Sequence, residues 1–115
     1  MEKTVQISIL LETYGKLLTE KQYQMLYDYY NNDLSLSEIA ENADITRQAV
    51  RDNLKKGESK LFEYEEKLGI MKKTLMQEEK IASILSEITK IKENTSDKEI
   101  ARILEDVKSK LNCLV

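Results

Sequence analysis

The chain has 115 residues, of which 41% are hydrophobic and 34% are charged, and its net charge is -3 at pH 7. This length suits one compact domain, or a small domain with a helical extension. The absence of proline and the presence of only three glycines favour helices throughout. The single cysteine, Cys113, excludes a disulfide framework within the chain and fits a reducing compartment.

The N-terminal segment lacks the features of a signal peptide. Its apolar run from Ile7 to Leu11 is short and is flanked by Glu2 and Glu12. No apolar run approaches the length that spans a bilayer. We therefore expect a cytoplasmic protein with no membrane span.

Two helices are predicted before residue 31. The first covers residues 3 to 15 and ends at Gly15, and its buried face is predicted to be Ile7, Leu10, Leu11 and Tyr14. Thr19 and Gln22 form a capping box that begins the second helix. Helical spacing places one stripe of that helix in the core: Tyr23, Leu26, Tyr27 and Tyr30. Tyrosines can also stack on nucleic-acid bases, but their shared face favours core packing, and Tyr29 alone points elsewhere.

The next segment has the pattern of a helix-turn-helix. Ser35 and Glu38 form a second capping box, which begins a short helix with Ile39 and Ala40 directed inward. A small residue such as Ala40 allows the following helix to cross closely. Asp44 occupies the turn position that requires a left-handed backbone, where glycine is best and aspartate is tolerated.

Thr46 caps a longer helix that follows this turn. Its buried stripe is predicted to be Val50, Leu54, Gly57, Leu61, Tyr64 and Leu68. Because Gly57 falls on that stripe, we interpret it as the point where a neighbouring helix approaches closely. Gly69 ends the helix.

The remaining residues are predicted to form a helical hairpin. One apolar stripe lies between residues 74 and 93, and it contains Leu75, Ile81, Ile84, Leu85, Ile88 and Ile91. A turn at Asn94-Thr95 and a third capping box, Ser96 with Glu99, precede the second stripe. That stripe contains Ile100, Ile103, Leu104, Val107, Leu111 and Leu114. The predicted division is a helix-turn-helix domain at residues 1–70 and a hairpin extension at residues 71–115.

A two-helix hairpin cannot bury both of its faces alone. We therefore expect self-association as a homodimer, or packing on the first domain, in preference to a foreign partner.

The segment from residue 19 to 68 resembles region 4 of bacterial sigma factors. Over nearly its full length the chain resembles the YlxM family of small helix-turn-helix proteins, through YYNNDLSLSEIAE, ITRQAVRDNLKKGE and LFEYEEKLG. This resemblance implies a link to the signal recognition particle, because genes of that family typically lie beside those for the particle's GTPase and its receptor. Asp44 in place of glycine departs from the general helix-turn-helix pattern and adds a negative charge near a possible phosphate contact.

The candidate nucleic-acid site lies at the start of the second helix of the motif. That end of a recognition helix faces base edges, and Arg and Gln pair well with guanine and adenine. The candidates for base edges are Thr46, Arg47, Gln48 and Arg51, and those for phosphates are Lys55 and Lys56. Arg51 has no carboxylate three or four positions away, whereas Asp52 and Glu58 are within reach of Lys55. The alternative is an ordinary solvated face.

The overall charge argues against strong nucleic-acid binding. The sequence pI is about 5.1, whereas strong binders usually present a basic patch or a pI above about 9. Any binding is therefore expected to be weak and steeply dependent on salt.

Neither an enzyme nor a cofactor is expected. The sequence contains no histidine, no CxxC, no GxxxxGK and no GxSxG, so zinc binding and P-loop hydrolysis have no support. Cys113 is interpreted as an incidental thiol. The leading hypothesis is a regulatory or accessory protein that binds DNA or signal recognition particle RNA. The alternatives are an adaptor that binds the particle's GTPase without nucleic acid, and a regulator of its neighbouring operon that reads duplex DNA.

Overall fold

The computed structural model of the protein describes residues 1–114, and within them it contains six α-helices, one 3₁₀ turn and no strand. The predicted all-α fold class is therefore confirmed. The elements in chain order are α1 (Lys3–Tyr14), the 3₁₀ turn (Gly15–Leu17), α2 (Glu20–Tyr30), α3 (Leu36–Ala43), α4 (Arg47–Leu68), α5 (Ile70–Asn94) and α6 (Lys98–Asn112). No helix in this part of the chain has the length and apolar content needed to cross a membrane.

The chain divides into two compact units, Met1–Met71 and a second that begins at Lys72. In the first unit, α1, α2 and α3 all pack against α4. The side chains of its core are Ile7, Leu10, Leu11, Tyr14, Leu18, Met25, Leu26, Ile39, Ala40, Val50, Leu54, Leu61 and Met71. The apolar faces predicted for α1 and α3 are therefore confirmed, and that of α4 is confirmed as far as Leu61. Leu68 is 57% exposed, so the predicted stripe extends too far.

The buried face of α2 differs from the predicted one. Its buried residues are Gln22, Met25 and Leu26, whereas Tyr23 and Tyr27 are 37% and 38% exposed. These two rings stack on each other with their centroids 5.9 Å apart. Core packing was therefore the wrong prediction for both tyrosines, because Met and Leu bury wholly apolar side chains while Tyr keeps its hydroxyl in water.

Two of the three glycines of the first unit, Gly15 and Gly57, provide space for side chains of α2. A Cβ added at Gly57 would lie 2.7 Å from Leu26 Cδ1, which confirms the predicted close approach. A Cβ at Gly15 would lie 2.6 Å from the ring of Tyr23. Because Gly15 has a right-handed backbone, φ -55°, its function at the end of α1 is to leave room for that ring rather than to adopt a left-handed turn.

The junction between α4 and α5 is tied to α1 by a buried tyrosine. Tyr14, 1% exposed, donates from its hydroxyl to Glu65 Oε1 at 2.6 Å and accepts from the Ile70 N–H at 3.1 Å. Glu65 Oε1 also accepts from the Met71 N–H at 2.9 Å. These oxygens satisfy N–H groups of the first turn of α5, which explains why α5 begins at Ile70, before the apolar stripe predicted between residues 74 and 93. Gly69 ends α4, as predicted, and its backbone is left-handed, with φ 62°.

Burial and the hydrogen bond to Glu65 raise the pKa of Tyr14 above its ordinary value. The phenol therefore remains a donor at neutral pH, which is the form that this junction requires.

The second unit contains α6 and most of α5. Asp97 caps α6, because its carboxylate accepts from the N–H groups of Glu99 at 2.9 Å and Ile100 at 3.4 Å. The predicted capping box with Ser96 is therefore wrong, since the carboxylate one residue later reaches two donors at once. Lys92 of α5 pairs with Glu105 of α6 and, through that hydrogen bond, lowers the pKa of the Glu105 carboxyl.

The apolar stripe of α6 remains largely uncovered. No described residue of α6 is buried. The exposed apolar side chains of this unit are Met76, Ile84, Ile91, Ile100, Ile103, Val107 and Leu114. The two helices of this unit therefore leave much of their own apolar surface exposed.

Candidate nucleic-acid interface

A three-residue turn sets the crossing of α3 and α4. Asp44 is left-handed, with φ 55° and ψ 46°, as the sequence predicted. The next N–H, that of Ile45, donates to the Ala40 carbonyl at 3.0 Å, and Asp44 N–H donates to Glu41 at 3.3 Å. These bonds satisfy the last carbonyls of α3. The chain then enters α4 directly, so the two helices form a helix-turn-helix.

The N-terminus of α4 is capped by Thr46. Its hydroxyl accepts from the Ala49 N–H at 3.1 Å, which satisfies one of the free donors of the first turn. Val50, fully buried, and Leu54 then anchor this half of α4 in the core. The orientation of the exposed side chains between them is therefore fixed by packing.

All six predicted site residues are exposed. Arg47, Arg51 and Lys55 lie one turn apart on one face of α4, and we call these three side chains the basic row. Gln48, Asp52 and Lys56 form a second line beside it, one residue further along. Like charges at this spacing repel one another by roughly 0.2–0.5 kcal/mol per pair, so the basic row is an arrangement that an anion would stabilise.

The carboxylates near the basic row are engaged by other partners. Asp52 Oδ1 accepts from Gln48 Nε2 at 3.1 Å. Glu58 accepts from the Tyr30 hydroxyl and pairs with Lys3 at 3.3 Å. The sequence placed both carboxylates within reach of Lys55, but within residues 1–114 neither forms an ion pair with it.

In the part of the chain that the structure describes, no ion pair involves the basic row or Lys56. Among the described residues, these four cationic side chains of α4 therefore face solvent without a carboxylate partner.

A groove of about 500 Å³ lies beside the basic row. Its lining includes Lys3, Tyr29, Tyr30, Arg51, Lys55 and Glu58. We call it the tyrosine groove. Burial and the hydrogen bond to Glu58 raise the pKa of Tyr30, so its hydroxyl stays protonated and donates. Sequence reasoning missed this groove, because Lys3 and Glu58 lie 55 positions apart in the chain; the one available signal was the position of Tyr29 outside the apolar stripe.

Two further observations concern other kinds of site. Within residues 1–114, no group of three or more His, Cys, Asp and Glu side chains is placed to hold a metal ion. Cys113 is exposed and has a free thiol.

Comparison with known proteins identifies the family. The family model described as "Putative helix-turn-helix protein, YlxM / p13 like", UPF0122, matches residues 1–108. The chain belongs to the UPF0122 family. The resemblance to YlxM drawn from the sequence is therefore confirmed.

Curated UPF0122 proteins align along nearly their whole length. One from Acetivibrio thermocellus is 42% identical over 115 residues, which is 100% of this chain and 98% of that protein. One from Fusobacterium nucleatum is 40% identical over 109 residues, 93% of this chain and 97% of the relative. One from Clostridium acetobutylicum is 37% identical over 112 residues, 97% of each. The shared family description, together with the turn at Asp44, identifies the first unit as a helix-turn-helix of this family.

Proposed function

We propose that this chain is a non-enzymatic accessory protein of the cytoplasm that binds nucleic acid through the N-terminal half of α4. Thr46, Arg47, Gln48 and Arg51 lie toward base edges, and Lys55 and Lys56 lie toward phosphates. The observation that carries the proposal is the basic row, which is exposed and has no carboxylate partner among residues 1–114. An unpaired row of cations on the second helix of a helix-turn-helix is suited to a phosphate backbone.

The expected binding is weak and depends steeply on salt. The phosphate contacts of Lys55 and Lys56 correspond to a fall of about 10-fold in affinity between about 50 and 200 mM salt, and phosphate contacts from Arg47 and Arg51 in addition to their base contacts raise that fall to about 100-fold. The net charge of -3 adds repulsion at longer range, which salt screens. A homodimer would double the number of contacts.

The signal recognition particle is the proposed setting, and the ligand is DNA or the RNA of that particle. Support for this setting comes from the resemblance to the YlxM family, whose genes typically lie beside those of the particle's GTPase. The alternative, a transcription regulator that reads duplex DNA of its neighbouring operon as a dimer, uses the same surface of α4.

The exposed apolar stripe of α6 favours a second candidate function. Ile100, Ile103 and Val107 are 44%, 58% and 38% exposed, and such a stripe is typical of a helix that contacts another protein. We propose a homodimer contact for this stripe. The alternative is an adaptor that binds the particle's GTPase through it and has no affinity for nucleic acid.

The test is a titration of the full chain against mixed duplex DNA, signal recognition particle RNA and the particle's GTPase, at about 50 and 150 mM salt. The test variant is Arg47→Ala with Arg51→Ala. The matched control is Lys16→Ala with Lys21→Ala, which removes two exposed cations elsewhere in the first unit.

The proposal is supported if nucleic-acid binding falls with salt, is lost in the arginine variant and is retained in the lysine control. Binding to the GTPase alone, unchanged by both variants, overturns it in favour of the adaptor.

A further inference from the structure

The tyrosine groove contains an exposed aromatic ring that the proposed function leaves unused. Tyr29 is 37% exposed and lies at the end of α2, beside the basic row. A second hollow of about 300 Å³, lined in part by Thr4, Asp33 and Leu34, also borders Tyr29 and Tyr30. The ring therefore borders open space in both hollows, although part of it is covered.

Tyr30 and Glu58 hold Tyr29 in place. The two rings meet edge to face, with centroids 5.0 Å apart and planes at 83°. Tyr30 in turn donates from its hydroxyl to Glu58, and Glu58 pairs with Lys3 at 3.3 Å. This chain of contacts joins α1, α2 and α4, so the ring is oriented before any ligand arrives. A flat ring that is already fixed binds a partner at a lower entropic cost.

Two cations of the basic row line the same groove. Arg51 and Lys55 both border it, and neither forms an ion pair within residues 1–114. The carboxylates of Asp52 and Glu58 line the groove as well, but Asp52 accepts from Gln48 and Glu58 is engaged by Tyr30 and Lys3. The groove volume of about 500 Å³ lies within the roughly 300–1,000 Å³ of small-ligand sites. One site therefore combines a partly exposed aromatic ring, room for a flat ring beside it, and cations for a phosphate.

An aromatic face and a phosphate-binding cation together match a single nucleotide whose base is unstacked. A base within a continuous duplex is stacked on both sides and cannot offer its face, whereas a bulged or single-stranded base can. The ligand chemistry is thus a strand with at least one unpaired nucleotide.

We propose that the tyrosine groove binds one unpaired nucleotide of the strand that α4 contacts. The base stacks on Tyr29, and its phosphate lies at Lys55 and at Arg51, which at this nucleotide contacts the backbone rather than a base edge. This inference rests on the proposed function and narrows its ligand to RNA or DNA that contains a bulged or single-stranded nucleotide.

The experiment uses the full chain and matched oligonucleotides. One RNA duplex is fully paired, a second carries a single 2-aminopurine bulge, and the same pair is made as DNA. Affinity is measured by anisotropy of an end label, and stacking by quenching of the 2-aminopurine fluorescence. The bulged form is expected to bind about 5- to 150-fold more tightly than the paired form, with quenching on binding.

Three variants separate stacking from folding. Tyr29→Leu keeps apolar volume without an aromatic face, so it is expected to lose the preference for the bulge. Tyr29→Phe is expected to keep it. Tyr27→Leu is the matched control, because Tyr27 is 38% exposed on the same helix but lines a different hollow. Circular dichroism verifies that each variant is folded. Quenching of 2-aminopurine by the unchanged protein tests stacking directly, so it does not depend on the folding of any variant.

The outcomes distinguish this inference from the proposed function. The nucleotide site alone is overturned if paired and bulged probes bind with equal affinity and without quenching, while Arg47→Ala with Arg51→Ala still abolishes binding. Failure of every probe to bind overturns both proposals. Tighter binding of a bulged probe than of its paired form, with quenching, supports the site. A difference in affinity between bulged RNA and bulged DNA then identifies the sugar of its ligand.

Discussion

Gln48 donates from its side-chain amide to Asp52 Oδ1, 3.1 Å away and one turn further along α4. This bond holds a carboxylate beside the basic row without neutralising it. Asp52→Asn removes the negative charge and keeps an oxygen that can accept from Gln48. We expect nucleic-acid affinity to rise about two- to fivefold, from the Coulomb energy of one charge about 7 Å from a phosphate in water.

The control for Asp52→Asn is Glu66→Gln. It makes the same change of net charge on an exposed residue of α4, about 20 Å further along the helix axis. An equal gain in both variants would attribute the effect to net charge and would contradict a site at the N-terminal half of α4.

Asp44 has a left-handed backbone, which is uncommon for a residue with a Cβ, and a negative charge near the proposed phosphate contact. Its φ of 55° is left-handed, a conformation that costs a residue with a Cβ roughly 1–2 kcal/mol and glycine almost nothing. Asp44→Gly and Asp44→Ala both remove the charge, but only glycine relieves the backbone. We expect the glycine variant to be more stable than the alanine variant by about 1 kcal/mol in urea unfolding. Equal stabilities would contradict the backbone explanation.

Gly57 of α4 leaves room for the side chain of Leu26 of α2. Gly57→Ala places a methyl group 2.7 Å from Leu26 Cδ1, and we expect overpacking to outweigh the gain of about 1 kcal/mol in helix propensity. In a Leu26→Ala background the methyl group has room, so the same change is expected to stabilise. The measurement is a double-mutant cycle, with a coupling free energy of about 1–3 kcal/mol. Additive effects would show that the two residues do not compete for space.

Tyr14 is expected to stabilise the start of α5. Tyr14→Phe removes the acceptor of the Ile70 N–H and one donor to Glu65. A buried group that loses its partner costs about 1–3 kcal/mol, and we expect a decrease of that size in the free energy of unfolding. Hydrogen exchange of the Ile70 amide is expected to accelerate. An unchanged exchange rate would show that Tyr14 does not protect this turn.

The same tyrosine predicts a dependence of stability on alkaline pH. Its pKa in the folded state is raised above the ordinary value of 10.0, so above that pH the unfolded chain releases the proton first and folding stability falls as pH rises. Below it the stabilisation is fully present. We expect the melting temperature of the unchanged protein to fall more steeply above pH 10 than that of Tyr14→Phe. Parallel curves for the two proteins would contradict this prediction.

The hairpin stripe predicts self-association. Ile103→Glu places a charge where the apolar side chain is 58% exposed, and Ser109→Glu is a matched control at an exposed polar position of α6. We expect light scattering to find dimers for the unchanged chain and for the control, and monomers for Ile103→Glu. A monomeric unchanged chain would contradict the homodimer and favour a foreign partner for α6.

Local sequence signals predicted most of the first unit. The capping boxes at Thr19 and Ser35 and the turn at Asp44 involve residues within a few positions of one another, and each formed as expected. Helical spacing also located Gly57 correctly. The start of α5 could not be predicted, because it depends on Tyr14, 56 positions earlier in the chain. The rotation of α2 was missed because spacing alone does not distinguish Tyr23 from Met25 as a core residue.

The candidate site was predictable only in part, for the same reason. The exposure of Arg47 and Arg51 follows from their position opposite an apolar stripe. The engagement of Glu58 by Tyr30 and Lys3 requires contacts across three helices, and no local pattern indicates it. Whether Lys55 is paired therefore depends on the tertiary fold, although the residue itself is visible in the sequence.

The burial of Gly57 directly behind the basic row has a mechanical consequence. Leu26 packs against the backbone of α4 at that point, next to the helical turn from which Arg51 and Lys55 project. A helix fixed so close to the core cannot bend to follow an irregular ligand. The nucleic acid must therefore supply the conformational adjustment, and free and bound forms of the first unit should superimpose closely along α4.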